Sequence, residues 1–250
     1  RNDEIGKLVH GYNIMICEIQ NLIEKTIKDQ KDIRRAELQA LQAQIKPHFL
    51  YNTFDAISSL AIDGETDKIY TIVKSLGSYY RMSLSKGSEV ITLKQEVDIV
   101  KNYLIIQQVR YSDIFTVEYS IDESLENFKV LKLILQPLVE NAIYHGIKPL
   151  GAAGVIKISA NCANGMMVLS VEDNGVGMNS DILDSILHGR PDEKKSFGLK
   201  TTLERIGIFY GIRNFYNIES DLGAGTKITI QIPITGDDFY GYGNNQNNGG

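Results

Sequence analysis

The chain has 250 residues, of which 43% are hydrophobic and 23% are charged. This composition is that of an ordinary globular protein, and the length allows one large domain or two small ones. The net charge of -5 disfavours a nucleic-acid-binding surface, because phosphates would be repelled and no basic stripe offsets the charge. The two cysteines, Cys17 and Cys162, make neither a disulfide framework nor a zinc cluster. We expect both to be buried and reduced.

The sequence contains no membrane-spanning pattern. Its apolar runs are far shorter than the 18 or so residues that a span needs, and no signal peptide is recognisable. The chain begins at Arg1 rather than at a methionine, so we expect it to be part of a longer protein.

The first 26 residues carry a coiled-coil pattern. Apolar side chains recur at an alternating spacing of three and four residues, which is the seam of paired helices. The seam positions are Ile5, Leu8, Tyr12, Met15, Ile19, Leu22 and Thr26. The register continues to Pro47 with a second apolar stripe, which favours a helix entering a four-helix bundle. A single amphipathic helix is the alternative, but residues 12–46 contain no Gly or Pro, which argues against it.

Residues 37–86 are typical of a helical hairpin. A turn and cap signal, Asp63–Thr66, separates two helical stretches, and apolar residues recur at helical spacing from Ile69 to Tyr80. Two such hairpins in a dimer make a four-helix bundle. A further helix is predicted from about Leu93 to Arg110.

The rest of the chain predicts an α/β sandwich with a mixed sheet. We predict strands at 115–121, 155–160, 167–171, 215–220 and 226–232, and helices at 132–145 and 199–210. Gly, Asn, Asp and Ser dominate residues 173–198, which predicts a mobile loop, and the last 15 residues are expected to be disordered. The predicted fold class is therefore α+β, with a coiled coil and a dimeric four-helix bundle before the sandwich.

Three segments at the ends of predicted elements together indicate a nucleotide pocket. They are Asn141, Asp173–Gly177 and Gly223–Thr226. An Asp at a strand end can set its carboxylate against the exocyclic amine of adenine, while glycines let the backbone approach the ligand. An Asn in a facing helix offers a neutral oxygen to Mg²⁺, and Gly198 starts a helix whose free N–H groups can hold phosphate. The sequence has neither a Walker P-loop nor a Gly-x-Gly-x-x-Gly motif after a strand.

Longer strings in the sequence resemble one known family, the LytS/YesM-type sensor histidine kinases. Leu41–Thr53 is similar to the phosphoacceptor box of that family, and Leu135–Gly146 resembles the N box of its GHKL (Bergerat) ATPase domain. Residues 2 to about 26 look like the second helix of a HAMP relay. The three glycine boxes of the ATPase domain resemble Asp173–Met178, Gly198–Leu199 with Arg205, and Gly223–Thr226.

The resemblance implies a sensor histidine kinase of a two-component system. Its domains would be a partial HAMP coiled coil at 1–30, dimerisation and phosphotransfer helices at 31–112, an ATP-binding catalytic domain at 113–235 and a disordered tail at 236–250. The implied cofactors are ATP and Mg²⁺. The implied partners are a second copy of the chain and the receiver domain of a response regulator, with no nucleic acid. The parent protein would be anchored in the cell membrane with this part on the cytoplasmic side.

By the resemblance, His48 is the phosphoacceptor. A neutral imidazole is a nucleophile, and a phosphoramidate passes its phosphoryl group on readily. Pro47 is expected to kink the helix and so to make the site accessible. Asn52, one turn later, can orient the imidazole or position a hydrolytic water. Because Phe49 stands where many histidine kinases have an acidic residue, the general base stays open between Asn52 and a residue of the ATP-binding domain, with Glu140 as a candidate.

The resemblance also assigns the nucleotide pocket. Asn141 would hold Mg²⁺ and Asp173 would bind adenine. His145 would either contact a phosphate oxygen or cap and pack beside Gly146. The remaining pocket residues would be Gly175, Gly177, Gly198, Leu199, Gly223, Gly225 and Thr226.

Two departures from the family pattern lie in the second glycine box. Ser196 stands where a Gly is usual and Thr201 where an Asn is usual, which predicts reduced nucleotide affinity. They support one alternative, a non-enzymatic coiled-coil dimer or anti-kinase binding module whose nucleotide pocket is degenerate. A second alternative is a GHKL-type nucleotide-binding dimer that lacks kinase activity, in which ATP closes a clamp. The phosphoacceptor-like helix argues against a GHKL ATPase that only closes as a clamp on ATP, because such a protein does not need this helix.

Overall fold

A computed structural model of the chain describes residues 11–29, 47–84, 89–111, 114–180, 183 and 197–234. The chain divides into two compact units, Arg1–Leu50 and Tyr51–Gly250. The predicted tail at 236–250, most of the predicted loop at 173–198 and residues 30–46, for which the sequence predicted a continuing helix, lie outside the described residues.

Residues 11–29 form helix α1. The predicted seam residues on this helix are exposed in the single chain, with Leu22 at 63%. Both cysteines are free but exposed, so the prediction that they are buried was wrong. Cys17 lies on the solvent-facing α1. Cys162 lies near the end of strand β4 (Gly154–Ala163), where it pairs with Met167 on one side but lies beyond Ala160, the last residue that pairs with the strand on the other side.

Over the described residues, three further helices precede the sheet. Helix α2 (Pro47–Ile62) and helix α3 (Thr66–Ser83) are the two helices expected for the predicted hairpin and are joined by a short turn at residues 63–65, and helix α4 (Leu93–Arg110) packs against α3. A capping box starts α4, because Thr92 and Gln95 each bond the other's backbone N–H. Nine of its 18 residues are buried and share one broad face, while Lys94, Gln95 and Lys101 on the opposite side are exposed, so α4 packs along that face and meets solvent on the other.

A five-stranded mixed sheet forms the sandwich. Its order is β2-β4-β5-β7-β6; β2 and β4 are parallel and the other neighbours are antiparallel. The strands are β2 (Phe115–Ile121), β4, β5 (Met166–Asp173), β6 (Tyr216–Asp221) and β7 (Gly225–Pro233). This confirms all five predicted strands. The ribbon of β1 (Val90–Thr92) and β3 (Lys129–Leu131) was not predicted, because strands of three residues leave little periodic signal.

The helix predicted at 132–145 begins later and changes geometry midway. Helix α5 (Gln136–Asn141) continues into a π-helical segment (Ala142–Ile147) and then into helix α6 (Lys148–Leu150). It cannot begin at residue 132 because Leu133 has a φ of 59°, which is incompatible with a right-handed helix. The last helix, α7 (Phe197–Tyr210), packs against α5.

A buried carboxylate on α4 holds the turn that precedes α5. Glu96 is 0% exposed and accepts the backbone N–H of Leu133 at 2.8 Å and that of Leu135 at 2.9 Å. From the other side, the Arg205 guanidinium of α7 donates to the carbonyls of Lys132 and Leu133, at 2.7 and 2.8 Å. Burial raises the pKa of Glu96, and the backbone N–H donors oppose that shift. The turn is thus tied to two helices.

We predict that Glu96→Ala destabilises the chain by about 2 to 5 kcal/mol, because buried N–H groups lose their acceptor. Urea unfolding of the purified chain measures the change. The matched control is Glu118→Ala, whose carboxylate is 63% exposed and 3.9 Å from Lys157; this variant should lose less than about 1 kcal/mol. Equal losses in the two variants would show that the Glu96 contacts do not hold the turn.

Candidate active site

The centre of the candidate site is Asp173, the last residue of β5. It lies opposite Ile156 and Thr226 in the two neighbouring strands and is 4% exposed. Its Oδ1 accepts the backbone N–H of Gly175 at 2.9 Å. Burial raises the pKa of Asp173 to about 6, while hydrogen bonds from the N–H groups of Gly175 and Thr226 act to lower it. A buried, oriented carboxylate of this kind suits recognition of a hydrogen-bond donor on a ligand.

The π-helical segment lies directly against Asp173. A Cβ atom on Gly146 would overlap with the Asp173 carboxyl group, and one on Gly175 would overlap with the backbone of Gly146. The N–H of Val176 donates to the carbonyl of Gly146 at 3.1 Å. Only glycines allow two backbones to approach this closely, and π-helical segments of this kind are frequent at functional sites.

The turn between β6 and β7 supports the loop after Asp173 from the opposite side. The Gly223 N–H donates to the carbonyl of Val176 at 2.7 Å, and the N–H of Met178 donates to the Ser220 hydroxyl at 2.9 Å. Gly225 has a φ of 94°, and a Cβ there would overlap with the Asp173 carbonyl. The first and third predicted glycine boxes therefore meet at one end of the sheet.

The structure places most of the remaining predicted pocket residues on α5 with its π-helical continuation and on α7, and α5 packs against α7. Asn141, the last residue of α5, is half-buried, and His145 is exposed in the π-helical segment that also carries Gly146. Gly198 and the buried Leu199 lie in the first turn of α7. Gly177, with a φ of 65°, lies in the loop after β5. Thr201 is exposed on α7, and Ser196 lies outside the described residues.

The predicted phosphoacceptor lies on α2. His48 is exposed, Phe49 is buried and Asn52 is half-buried. His48 belongs to the first compact unit, whereas Asn52 belongs to the second. Pro47 is the first described residue of this helix, so the predicted kink falls at the edge of the described residues.

Some residues that shape the site escaped the sequence analysis. No sequence pattern marks Ser220. Glu96 could have been found from the sequence, because it lies three residues after Leu93 and one before Val97 on a buried part of α4. A carboxylate at a core position needs a hydrogen-bond or charge partner. Glu140 was considered only as a base, although it is also hydrogen-bonded to Gln136.

The described residues contain no group of three or more His, Cys, Asp or Glu side chains that could hold a metal ion. One amide oxygen completed by phosphate and water oxygens is a donor set that Mg²⁺ uses with nucleotides, so Asn141 fits the predicted ion. No helix in the described part of the chain is long and apolar enough to cross a membrane.

Known families and proteins are similar to this chain in sequence. Residues 36–115 match the family described as "Histidine kinase", and residues 127–236 match the "Histidine kinase-, DNA gyrase B-, and HSP90-like ATPase" family. The chain is 38% identical to the sensor histidine kinase YesM of Bacillus subtilis, with 92% of this chain and 39% of that protein covered. It is 34% identical to the sensor protein LytS of Staphylococcus haemolyticus, with 81% and 35% covered. It is 32% identical to the putative uncharacterized protein YwpD of Bacillus subtilis, with 94% and 83% covered.

The sandwich, the buried aspartate and the glycine turns thus define an ATP-binding domain of the class shared by histidine kinases, DNA gyrase B and HSP90, which implies the use of ATP. The chain belongs to the histidine kinase family. This confirms the family and the fold class that the sequence predicted. The chain spans 39% of the length of YesM and 35% of that of LytS.

We predict that Gly175→Ala destabilises the chain by about 1 to 3 kcal/mol, because the new methyl group meets the Gly146 backbone, and that it abolishes ATP binding. Thermal unfolding and a calorimetric ATP titration measure the two effects. The control is Gly77→Ala in α3, where a Cβ has open space; it should be neutral or stabilising by up to about 1 kcal/mol. Normal ATP binding by the Gly175 variant would contradict the proposed close approach.

Proposed function

We propose that this chain is the kinase part of a two-component sensor protein. It would phosphorylate its own His48 with ATP and pass the phosphoryl group to an aspartate of a response regulator. The observation that carries the nucleotide half of the proposal is Asp173, a nearly buried carboxylate held by backbone N–H groups where two glycine turns meet. The phosphoacceptor half rests on an exposed His48 in a helix that lies within the matched histidine kinase region.

In this proposal the residues around Asp173 recognise the base. The carboxylate accepts a hydrogen bond from the exocyclic amine of adenine. Gly175, Gly177, Gly223, Gly225 and Thr226 form the walls and leave room for the ring. Two helices serve the phosphates: Asn141 holds Mg²⁺, His145 contacts a phosphate oxygen, and the N–H groups at Gly198 and Leu199 face the negative charge.

The proposed reaction is an in-line phosphoryl transfer. The unprotonated ring nitrogen of neutral His48 forms a bond to the γ-phosphorus while the bond from that phosphorus to the β–γ bridging oxygen breaks, and ADP leaves with the bond's electrons. The other ring nitrogen then loses its proton. Asn52 would orient the imidazole, and Glu140 is the proposed proton acceptor within the ATP-binding domain.

The proposed assembly is a homodimer. Large apolar side chains are exposed on the hairpin in the single chain, including Tyr51 at 68% and Tyr70 at 66%. These side chains, with the exposed seam of α1, are surfaces that a second copy would cover. We propose the domain limits 1–30, 31–112, 113–235 and 236–250, a HAMP relay in the first, and a membrane-anchored parent with this part on the cytoplasmic side.

We predict that ATP affinity falls as the pH drops below about 6, by up to tenfold for each unit. The pKa of Asp173 is raised to about 6, so the carboxylate that accepts the adenine amine is present above that pH and becomes protonated below it. Calorimetric titrations between pH 5 and 8 measure the change. Asp173→Asn should bind about ten- to a hundredfold more weakly at pH 7.5 and should show a flatter profile. Parallel profiles for the two proteins would show that another group titrates.

We predict that the purified chain, incubated with γ-labelled ATP and Mg²⁺, acquires label that is acid-labile and base-stable, as expected for a phosphoramidate. His48→Gln should lose the label completely because the nucleophile is gone. The matched control is His10→Gln, which removes a histidine outside the proposed machinery and should label normally. Label that persists in the His48 variant would place the acceptor elsewhere. An unlabelled wild type that binds ATP would favour the nucleotide-binding dimer that lacks kinase activity.

A further inference from the structure

A chain of hydrogen bonds joins helix α3 to the helix that carries Asn141. The amide nitrogen Nε2 of Gln136 donates to the Tyr79 hydroxyl at 2.8 Å and to Oε1 of Glu140 at 3.0 Å. Gln136 is the first residue of α5, and Glu140 lies one turn later on the same face. Tyr79 is 4% exposed and Gln136 is 6% exposed, so water does not compete strongly for these bonds. We call this set Tyr79–Gln136–Glu140 the α3–α5 relay.

The chemistry of the partners determines the orientation of the Gln136 amide. A carboxylate accepts hydrogen bonds and does not donate them. Turning the amide over would set its oxygen against Glu140 and leave two acceptors facing each other. In the orientation present, Oε1 of Gln136 is buried without a hydrogen-bond partner among the described residues. The Gln136 amide thus bonds both the Tyr79 hydroxyl and the Glu140 carboxylate, while its own oxygen has no hydrogen-bond partner among the described residues.

Two tyrosines surround Glu140 as neutral hydroxyl groups. Burial is the main cause that raises the pKa of Tyr79 to about 12. Burial also raises the pKa of Tyr103, on α4, well above its usual value, and the charge of Glu140 adds to that shift. The two rings lie 6.1 Å apart. The carboxylate is therefore half-buried between α3 and α4, in surroundings that offer hydrogen bonds but no second charge within the relay.

Helix α5 depends on such outside contacts for its position. It has six residues, no side chain caps its first turn, and it passes directly into the π-helical segment. A helix this short contributes few hydrogen bonds of its own. Contacts from α3, α4 and α7 therefore position the start of α5, whereas the π-helical segment after Asn141 is held against the end of the sheet.

We propose that Tyr79 is a positioning residue for phosphoryl transfer, which through Gln136 holds Glu140 and the turn that ends at Asn141 in place relative to α3. This inference rests on the function proposed above. Tyr79 touches neither the nucleotide nor His48 in this account. A shift of α3 that breaks the bond between Tyr79 and Gln136 removes one anchor of the Gln136 amide, so that Glu140 is positioned less precisely and transfer slows. It leaves adenine recognition unchanged, because Asp173 is held by the sheet.

The test compares Tyr79→Phe with Tyr80→Phe in the full chain. Tyr80 is the next residue of α3, and its buried hydroxyl has no hydrogen-bond partner among the described residues, so its removal should change nothing. Tyr79→Phe removes only the relay hydroxyl and keeps the ring. Glu140→Gln and the double variant Tyr79→Phe/Glu140→Gln complete a double-mutant cycle. Initial rates of histidine phosphorylation at saturating ATP and the Kd for ATP are measured for each protein.

We expect Tyr79→Phe to lower the saturated rate about three- to tenfold with a Kd for ATP within about twofold of the wild type. In the Glu140→Gln background the same change should have no further effect, because the carboxylate that it positions is gone. A merely structural role for Tyr79 would instead lower the rate by the same factor in both backgrounds. That result, or a Tyr79→Phe rate equal to that of Tyr80→Phe, overturns the inference alone. A wild type that does not label His48 overturns the proposed function and the inference with it.

Discussion

The position of the Asn141 helix depends on one buried interaction, the contact of the Glu96 carboxylate with the backbone before α5. A carboxylate moved out of water costs several kcal/mol, and hydrogen bonds to a charged group return about 1.5 to 3 kcal/mol each. The N–H groups of Leu133 and Leu135 both donate to this carboxylate, so the free energy gained from the two hydrogen bonds is similar to the cost of removing the carboxylate from water. The contact therefore adds little net stability but fixes one geometry, because any other arrangement leaves a buried charge without donors. Helix α4 thereby sets the place where α5 starts.

The Asp173 site shows the opposite balance, since it lowers the stability of the unliganded chain. A folded-state pKa of about 6, above the ordinary value for aspartate, means that burial disfavours the charged form at neutral pH. The close glycines add the entropic cost of flexible residues. A ligand that donates a hydrogen bond to the carboxylate would offset part of this cost on binding. A buried carboxylate that destabilises the unliganded chain, and that lies next to a π-helical segment, is typical of a functional site.

Regular elements could be predicted from the sequence, and contacts between distant elements could not. The strand Phe115–Ile121 and the helix Leu93–Arg110 were predicted with the limits that the structure shows, because their periodicity is long and local. The left-handed Leu133 stayed hidden, since its conformation is imposed by Glu96 and Arg205 from distant parts of the chain. The π-helical segment was not predicted for the same reason, because its Gly146 packs against Gly175 from a distant part of the chain. At the site, the motif residues were found from order and spacing, whereas the supporting Ser220 has no local signature.

The attachments of the site divide it into two mechanical parts. Asp173 and its loop are held by the sheet, through Gly225 and the β6–β7 turn. The turn that begins α5 is instead held by side chains of α4 and α7, and α5 itself is held by Tyr79 of α3. Under the proposed function, the base is therefore bound by the sheet and the phosphates by helices. A movement of α3 then acts on the start of α5 through Tyr79 and Gln136, whereas Gly146, further along the same helical run, stays packed against Asp173. A signal that arrives through the helices can accordingly control the transfer step while the nucleotide stays bound.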